Sequence, residues 1–150
     1  MNVRRSALIP RSAGDTFDLI EQAEHYPSFL PWCSHAIILE RTEDVVAARI
    51  TVKYRGLEFP LATRNLKRRP TWMAVRLVKG PFRQFEGEWR LTELTPGACK
   101  IEFDLAYEFD IGLVDRLAGR IFDGIADKIV DAFAQRAERL PIAQRAHPAP

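Results

Sequence analysis

The chain has 150 residues, a formal net charge of +2 and 47% hydrophobic residues. These proportions are typical of a folded globular protein and exclude a disordered or collagen-like chain. No stretch approaches the ~20 apolar residues that a membrane-spanning helix needs, and two cysteines, Cys33 and Cys99, are too few for a disulfide framework. We therefore expect one cytoplasmic domain over residues 1–140 and a flexible, proline-rich tail over residues 141–150.

The first forty residues predict one strand and one helix. The strand runs from Val3 to Ile9. Ser12 and Asp15 fit a capping box, in which side chains satisfy the free N–H groups of a helix start. The helix that follows ends near Tyr26-Pro27, because the residue before proline avoids helical geometry. Its apolar stripe is Phe17, Ile20 and Ala23. Residues 26–33 contain two prolines and predict a short helical turn or a compact loop.

Between residues 36 and 110 the hydrophobic period changes from 3.6 to 2. Such alternation predicts antiparallel strands with one wet face and one dry face. The clearest segment has its dry positions at Cys99, Ile101, Phe103, Leu105, Tyr107 and Phe109. Turn signals such as Arg55-Gly56 and Pro96-Gly97 separate the strands, so we expect six strands here, joined as hairpins.

The period returns to 3.6 after residue 110 and predicts a long amphipathic helix over about 111–139. Its apolar stripe contains Val114, Leu117, Ala118, Ile121, Phe122, Ile125, Ile129 and Phe133. Such a helix must bury this stripe against the dry face of the sheet. A sheet of about seven strands has more dry face than one helix covers. The space beneath the helix is therefore either filled by side chains or hollow, and the pattern leaves both open.

Several sequence motifs, in the right order over about residues 3–140, resemble one protein family. They are Tyr26-Pro-Ser-Phe-Leu-Pro-Trp-Cys33, Gly80-Pro-Phe82, Gly87-Glu-Trp89, Ile101-Glu-Phe-Asp-Leu-Ala-Tyr-Glu-Phe109, Gly119-Arg-Ile-Phe122 and Ala132-Phe133. The chain resembles the coenzyme Q-binding START-domain family, which includes mitochondrial ubiquinone chaperones and a bacterial ribosome-association toxin. The resemblance implies an α+β fold of the START-like helix-grip type. In that fold a curved antiparallel sheet of about seven strands wraps around a long C-terminal helix.

The resemblance implies a hydrophobic-ligand binding protein rather than an enzyme, with ubiquinone or a similar isoprenoid lipid as bound ligand and no other cofactor. It would support ubiquinone function in cellular respiration. We place the predicted ligand-binding residues on the dry faces and at the entrance: Tyr26, Phe29, Trp32, Phe85, Trp89, Phe103, Tyr107, Phe109, Leu117 and Phe122. Each of them is equally compatible with ordinary core packing. Two alternatives stay open: a toxin-like inhibitor of translation that binds the large ribosomal subunit, and a polyketide cyclase of the wider fold.

Positive charge is concentrated in the middle of the chain. Residues 41–90 carry 12 basic and 5 acidic side chains, a net +7. The predicted basic cluster is Arg49, Lys53, Arg55, Arg64, Lys67, Arg68 and Arg69. This pattern is typical of a solvated sheet face, and it also fits contact with an anionic partner. That partner would be the inner-membrane surface or RNA, and we expect no DNA binding.

Candidate catalytic and metal-binding residues are few. His25, Cys33 and His35 lie within eleven residues, but a zinc site needs four ligands or three and a water. A cysteine–histidine nucleophile needs an orienting third group, and none is visible. We therefore predict no metal site and no catalytic residue. Gly119 and Gly124 inside the long helix favour either close helix–sheet packing or a helix that lifts to admit a ligand.

Overall fold

The structure is a computed structural model that describes residues 1–110 and 116–141. The predicted tail, apart from Pro141, and the predicted start of the long helix at residues 111–115 lie outside the described residues. Val114 of the predicted apolar stripe belongs to that second segment.

Seven strands form one antiparallel sheet. They are β1 (Asn2–Ile9), β2 (Cys33–Arg41), β3 (Val45–Tyr54), β4 (Leu57–Arg68), β5 (Trp72–Lys79), β6 (Phe82–Thr95) and β7 (Ala98–Phe109). The strand order is β1-β7-β6-β5-β4-β3-β2. Strands β2 to β7 therefore each pair with the strand next to them in sequence, and only β1 pairs with a distant strand, β7. Between β1 and β2 lie α1 (Ala13–Glu21) and a 3₁₀ helix (Ala23–Ser28), and α2 (Arg116–Glu138) follows the sheet. The predicted α+β helix-grip architecture is confirmed.

Alternating burial along β7 fixes which face is the core. Ile101, Phe103 and Leu105 are almost fully buried, whereas the intervening polar side chains face outward. The same alternation continues along β4 from Leu57 to its far end, where it turns Lys67 toward the interior. A lysine within a run of basic residues is typical of a solvent-exposed position, so the inward position of Lys67 was not predicted.

The helix α1 begins as predicted and ends earlier. The Ser12 hydroxyl accepts a hydrogen bond from the Asp15 backbone N–H at 3.1 Å, which caps the first turn. The helix stops at Glu21 because Gln22 leaves the helical region, with ψ at 68°. A 3₁₀ helix containing Pro27 replaces the predicted last turn.

The hairpin between β3 and β4 turns on two residues with left-handed backbone. Arg55 has φ 52° and Gly56 has φ 87°, the geometry of a type I′ turn, which matches the twist of the flanking strands. Arg55 is thereby held at the tip of the hairpin, beside α2.

We expect Gly56→Val to lower the free energy of unfolding by about 1 kcal/mol or more, because side chains resist positive φ. No atom lies within 4 Å of a Cβ at Gly56, so the cost is conformational and not steric. Gly97 has equally open space without a positive φ. Gly97→Val is therefore the matched control, and equal losses in urea unfolding of the two variants would contradict the backbone explanation.

The helix α2 is attached to the sheet along one side. The Tyr107 hydroxyl hydrogen-bonds to the Asp123 carboxylate, and Arg5 pairs with Asp127. The Arg11 guanidinium caps the end of the helix by donating to backbone carbonyls at 2.7 and 3.0 Å. These anchors come from β1, β7 and the segment after β1, so the opposite side of α2 faces the β3–β4 hairpin across a gap. In the described part of the chain, no helix combines the length and apolar character needed to cross a membrane.

Candidate ligand-binding site

An apolar cavity of about 110 Å³ lies between the inner face of the sheet and α2. Six predicted ligand-binding residues line it: Tyr26, Trp32, Phe85, Trp89, Phe103 and Phe122. Trp89 and Phe103 stack with ring centroids 4.2 Å apart, and Phe133 of α2 packs edge-on against Trp89. One wall of the cavity is therefore an aromatic surface contributed by β6, β7 and α2.

Two of the predicted ligand-binding residues are packed into core beside the cavity. Phe109 stacks on Phe82 at 4.5 Å, and Tyr107 meets Phe122 edge-on at 5.0 Å. These ring contacts fill the space under the first half of α2. Among the described residues, Tyr107 and Phe109 therefore pack in the core and are not in the lining of the cavity.

The structure corrects the prediction for Leu117. Its side chain is 66% exposed and does not reach the interior. The buried Phe122 is five residues further on, which at ~100° per residue places Leu117 about 140° away around the helix. Leu117 therefore lies close to the solvent side of α2.

The cavity is small for its predicted cargo. Pockets that hold drug-sized ligands measure ~300–1,000 Å³, whereas about 110 Å³ corresponds to only a few water molecules. In the described conformation the interior is therefore too small for a prenylated quinone. Binding one requires the cavity to expand or to join another space.

A second space lies directly outside the cavity. This entrance groove, of about 580 Å³, separates α2 from the β3–β4 hairpin and from the loop that contains Phe29 and Pro31. Trp32 and Ile125 line both the groove and the cavity, so they form the partition between the two. Displacing this partition would connect the interior to the groove.

The groove carries most of its charge as cations. Its basic members are Arg55, Arg120, Lys128, Arg136 and Arg139, against one carboxylate, Asp131. None of these cations forms a salt bridge within the described residues. Arg136 lies over the Phe29 ring at 5.2 Å, a cation–π contact.

Polar side chains occur at the opposite end of the cavity. The buried Glu21 carboxylate accepts hydrogen bonds from Arg41 Nε at 2.8 Å and from Lys67 Nζ at 2.9 Å. Arg41 also binds Glu24, and this bond lowers the pKa of the Glu24 carboxyl below its usual value. Beside this network lies Asn65, another cavity-lining residue that the sequence analysis missed. The parity of β4, in which Leu57, Phe59 and Leu61 face inward, was the signal that could have found it.

Three titratable side chains near the cavity, Tyr26, Cys33 and Tyr107, keep their protons at neutral pH. Burial raises the pKa of the Tyr26 and Tyr107 phenols well above their usual value, so both stay protonated. Burial also raises the pKa of the Cys33 thiol to about 11, which keeps this free cysteine in its less reactive form. Within residues 1–110 and 116–141, no group of three His, Cys, Asp or Glu side chains could hold a metal ion.

The predicted basic cluster is not one continuous surface. Lys67 faces the interior, with a side chain only 9% exposed, because Glu21 binds it there. Arg64 pairs with Glu40 and Arg69 with Asp18, which neutralises both in place. The other members of the cluster are exposed: Arg49, Lys53, Arg55 and Arg68. Of the seven, Arg55 alone lines the entrance groove.

Comparison with known proteins identifies the family of the chain. Residues 9–134 match the family described as polyketide cyclase / dehydrase and lipid transport. The chain belongs to this START-like family. It is 38% identical over 139 residues to the ribosome association toxin RatA of Pseudomonas aeruginosa, covering 93% of this chain and 96% of that protein. It is 24% identical over 144 residues to the mitochondrial coenzyme Q-binding protein COQ10 homolog B of Xenopus laevis, covering 90% and 57%.

Solved structures agree on the fold. A START superfamily protein from Mycobacterium smegmatis superposes with a TM-score of 0.77, at 18% identity, covering 93% of this chain and 99% of the other. The predicted family resemblance is confirmed. The family description includes both enzymes and lipid carriers, so membership alone establishes a START-like domain without choosing between those activities.

Proposed function

We propose that the protein binds an isoprenoid quinone such as ubiquinone and carries it in support of respiration, without transforming it. The observation that carries this proposal is an apolar cavity separated from an open groove by two side chains, Trp32 and Ile125. A prenyl tail needs volume and apolar lining. Each buried CH₂ contributes ~0.8 kcal/mol, so burial of a few isoprene units reaches micromolar affinity after association costs.

Loading requires the partition to move, and the attachment of α2 favours one direction. The hydrogen-bonded anchors at Asp123 and Asp127 hold the helix on the β1 and β7 side. On the groove side, Phe133 of α2 contacts Tyr26 of the 3₁₀ helix and Phe29 just after it, each through an edge-on ring contact. Aromatic contacts tolerate small displacements of the rings. Moving the anchored side of α2 would instead break a hydrogen bond and an ion pair, so we expect the groove side to open.

Titration with a short-tailed ubiquinone analogue tests the proposal. Trp32 and Trp89 line the cavity, whereas Trp72 donates a hydrogen bond to Glu88 on the outer face. We expect saturable quenching of tryptophan fluorescence that persists in Trp72→Phe and is strongly reduced in Trp89→Phe. Quenching that never saturates, or that is lost only with Trp72, would contradict binding in the cavity.

Ribosome association is the second candidate, and sequence identity favours it. The chain is 38% identical to a protein named ribosome association toxin, against 24% for the coenzyme Q-binding relative. The cations of the entrance groove offer a surface for ribosomal RNA, whose phosphates would make binding steeply salt-dependent. We expect the double charge reversal Arg120→Glu with Lys128→Glu to abolish co-sedimentation with large ribosomal subunits at low salt. The reversal of Arg83, an exposed arginine outside the groove, is the control.

A further inference from the structure

Asn65 is a half-buried residue of the cavity wall, and its side-chain carbonyl oxygen lacks a hydrogen-bond partner. Its carbonyl oxygen Oδ1 is buried and accepts no hydrogen bond; among the described residues, no other side-chain nitrogen or oxygen is in this state. Its amide nitrogen donates to the Met73 sulfur at 3.6 Å, and a thioether is a weak acceptor. Both ends of the carboxamide are therefore poorly satisfied.

Such a group is unusual because buried polar atoms are almost always hydrogen-bonded. Two other polar side chains that line the cavity, Glu21 and Tyr26, are hydrogen-bonded. Glu21 is bound by Arg41 and Lys67, and the Tyr26 hydroxyl donates to the Ile20 carbonyl. Asn65 lines the same cavity but, unlike Glu21 and Tyr26, has a buried oxygen without a partner.

We propose that the Asn65 carboxamide is the polar contact for the head group of the ligand, which rests on the proposed function of quinone binding. A carboxamide carries both an acceptor and two donors. Its carbonyl can accept a hydrogen bond from a quinol hydroxyl, and after a half-turn of the amide its N–H can donate to a quinone carbonyl. One residue therefore serves the oxidised and the reduced ring.

The position of Asn65 also sets the orientation of the ligand. Asn65 lies opposite Val46 on β3, whereas the partition residue Trp32 accepts a hydrogen bond from the Lys53 backbone, next to Val52. Val46 and Val52 are six positions apart on β3, a distance of about 20 Å at ~3.3 Å per residue. The ring would bind at the deep end near Asn65, and the tail would leave past Trp32 into the entrance groove.

Two probes separate a polar contact from general apolar binding. One is a short-tailed ubiquinone analogue in its oxidised and reduced forms, and the other is an alkylbenzene with the same tail and no ring oxygens. We expect Asn65→Leu to weaken both forms of the quinone about tenfold and to leave the alkylbenzene unchanged. The same variant should raise the unfolding temperature of the ligand-free protein, because it removes a buried polar group without a partner.

Thr92→Val is the control, since Thr92 is exposed on β6 and is not among the residues that line the cavity. It should change neither affinity by more than about twofold, a change smaller than one hydrogen bond contributes. Asn65→Val provides a second apolar variant if the leucine does not fit. Equal weakening of quinone and alkylbenzene, or no weakening of either, overturns the Asn65 inference and leaves quinone carriage standing. A wild-type protein that binds neither probe overturns both.

Discussion

Glu21→Met is expected to lower the free energy of unfolding by about 3–5 kcal/mol, the usual cost of leaving a buried charge without its partner. Glu21 and Lys67 have side chains only 11% and 9% exposed, and their charged atoms are 2.9 Å apart. Removing the carboxylate leaves the Lys67 ammonium inside the sheet with no anion beside it. The loss of Glu21 leaves Arg41 with an anionic partner, because Arg41 keeps its hydrogen bond to Glu24.

The double variant Glu21→Met with Lys67→Met should recover most of this loss, since apolar side chains of similar size often replace a buried ion pair without penalty. Arg64→Ala is the control, because its pair with Glu40 is exposed and contributes at most about 1 kcal/mol. Urea unfolding measures all three. Two results would contradict a buried ion pair: a loss of unfolding free energy below about 1 kcal/mol in the single variant, or no recovery in the double variant. Either would indicate that Lys67 is solvated.

Ala48→Leu is expected to abolish quinone binding while leaving the fold intact. Ala48 is buried and lines the cavity from β3. The three added carbon atoms would occupy much of the existing cavity of about 110 Å³, which the ligand must enlarge to bind. We expect the Kd for a short-tailed quinone to rise at least about tenfold, because each excluded CH₂ forfeits ~0.8 kcal/mol. The unfolding temperature should hold or rise, because filling a void adds contacts.

The control for this variant is on the opposite face of the sheet. Ala106 lies on the outer face of β7, in register with Asn2 of β1 and Glu86 of β6. Ala106→Leu adds the same three carbons without entering the cavity, so its quinone affinity should match that of the wild type. If both variants bind quinone normally, the ligand does not enter the interior.

Most of the fold could be predicted because strands and helices leave a strong period in the sequence. The alternation from Cys99 to Phe109 predicted β7, and Arg55-Gly56 predicted a hairpin turn whose left-handed backbone the structure contains. These signals are local: each depends on residues that are neighbours in the chain. Leu117 shows the limit of the same method, because a long apolar helix pattern does not state which residue falls on the buried side.

The candidate site was harder to predict because its decisive features depend on distant residues. Tyr107 and Trp89 have the same pattern of dry positions, yet one is packed in core and the other lines the cavity. Lys67 follows the alternation of β4 to the inner face, and its charge is tolerated there because Glu21, 46 residues earlier, is placed to bind it. Whether the interior is hollow likewise follows from how rings from several elements fit together, which no single segment encodes.

Solvent extraction of the purified protein followed by mass spectrometry tests the central claim most directly. If the interior opens to take an isoprenoid quinone, the extract should contain such a quinone at a stoichiometric level, and the Ala48→Leu protein should yield none. A wild-type protein that carries no lipid and still co-sediments with large ribosomal subunits would contradict quinone carriage.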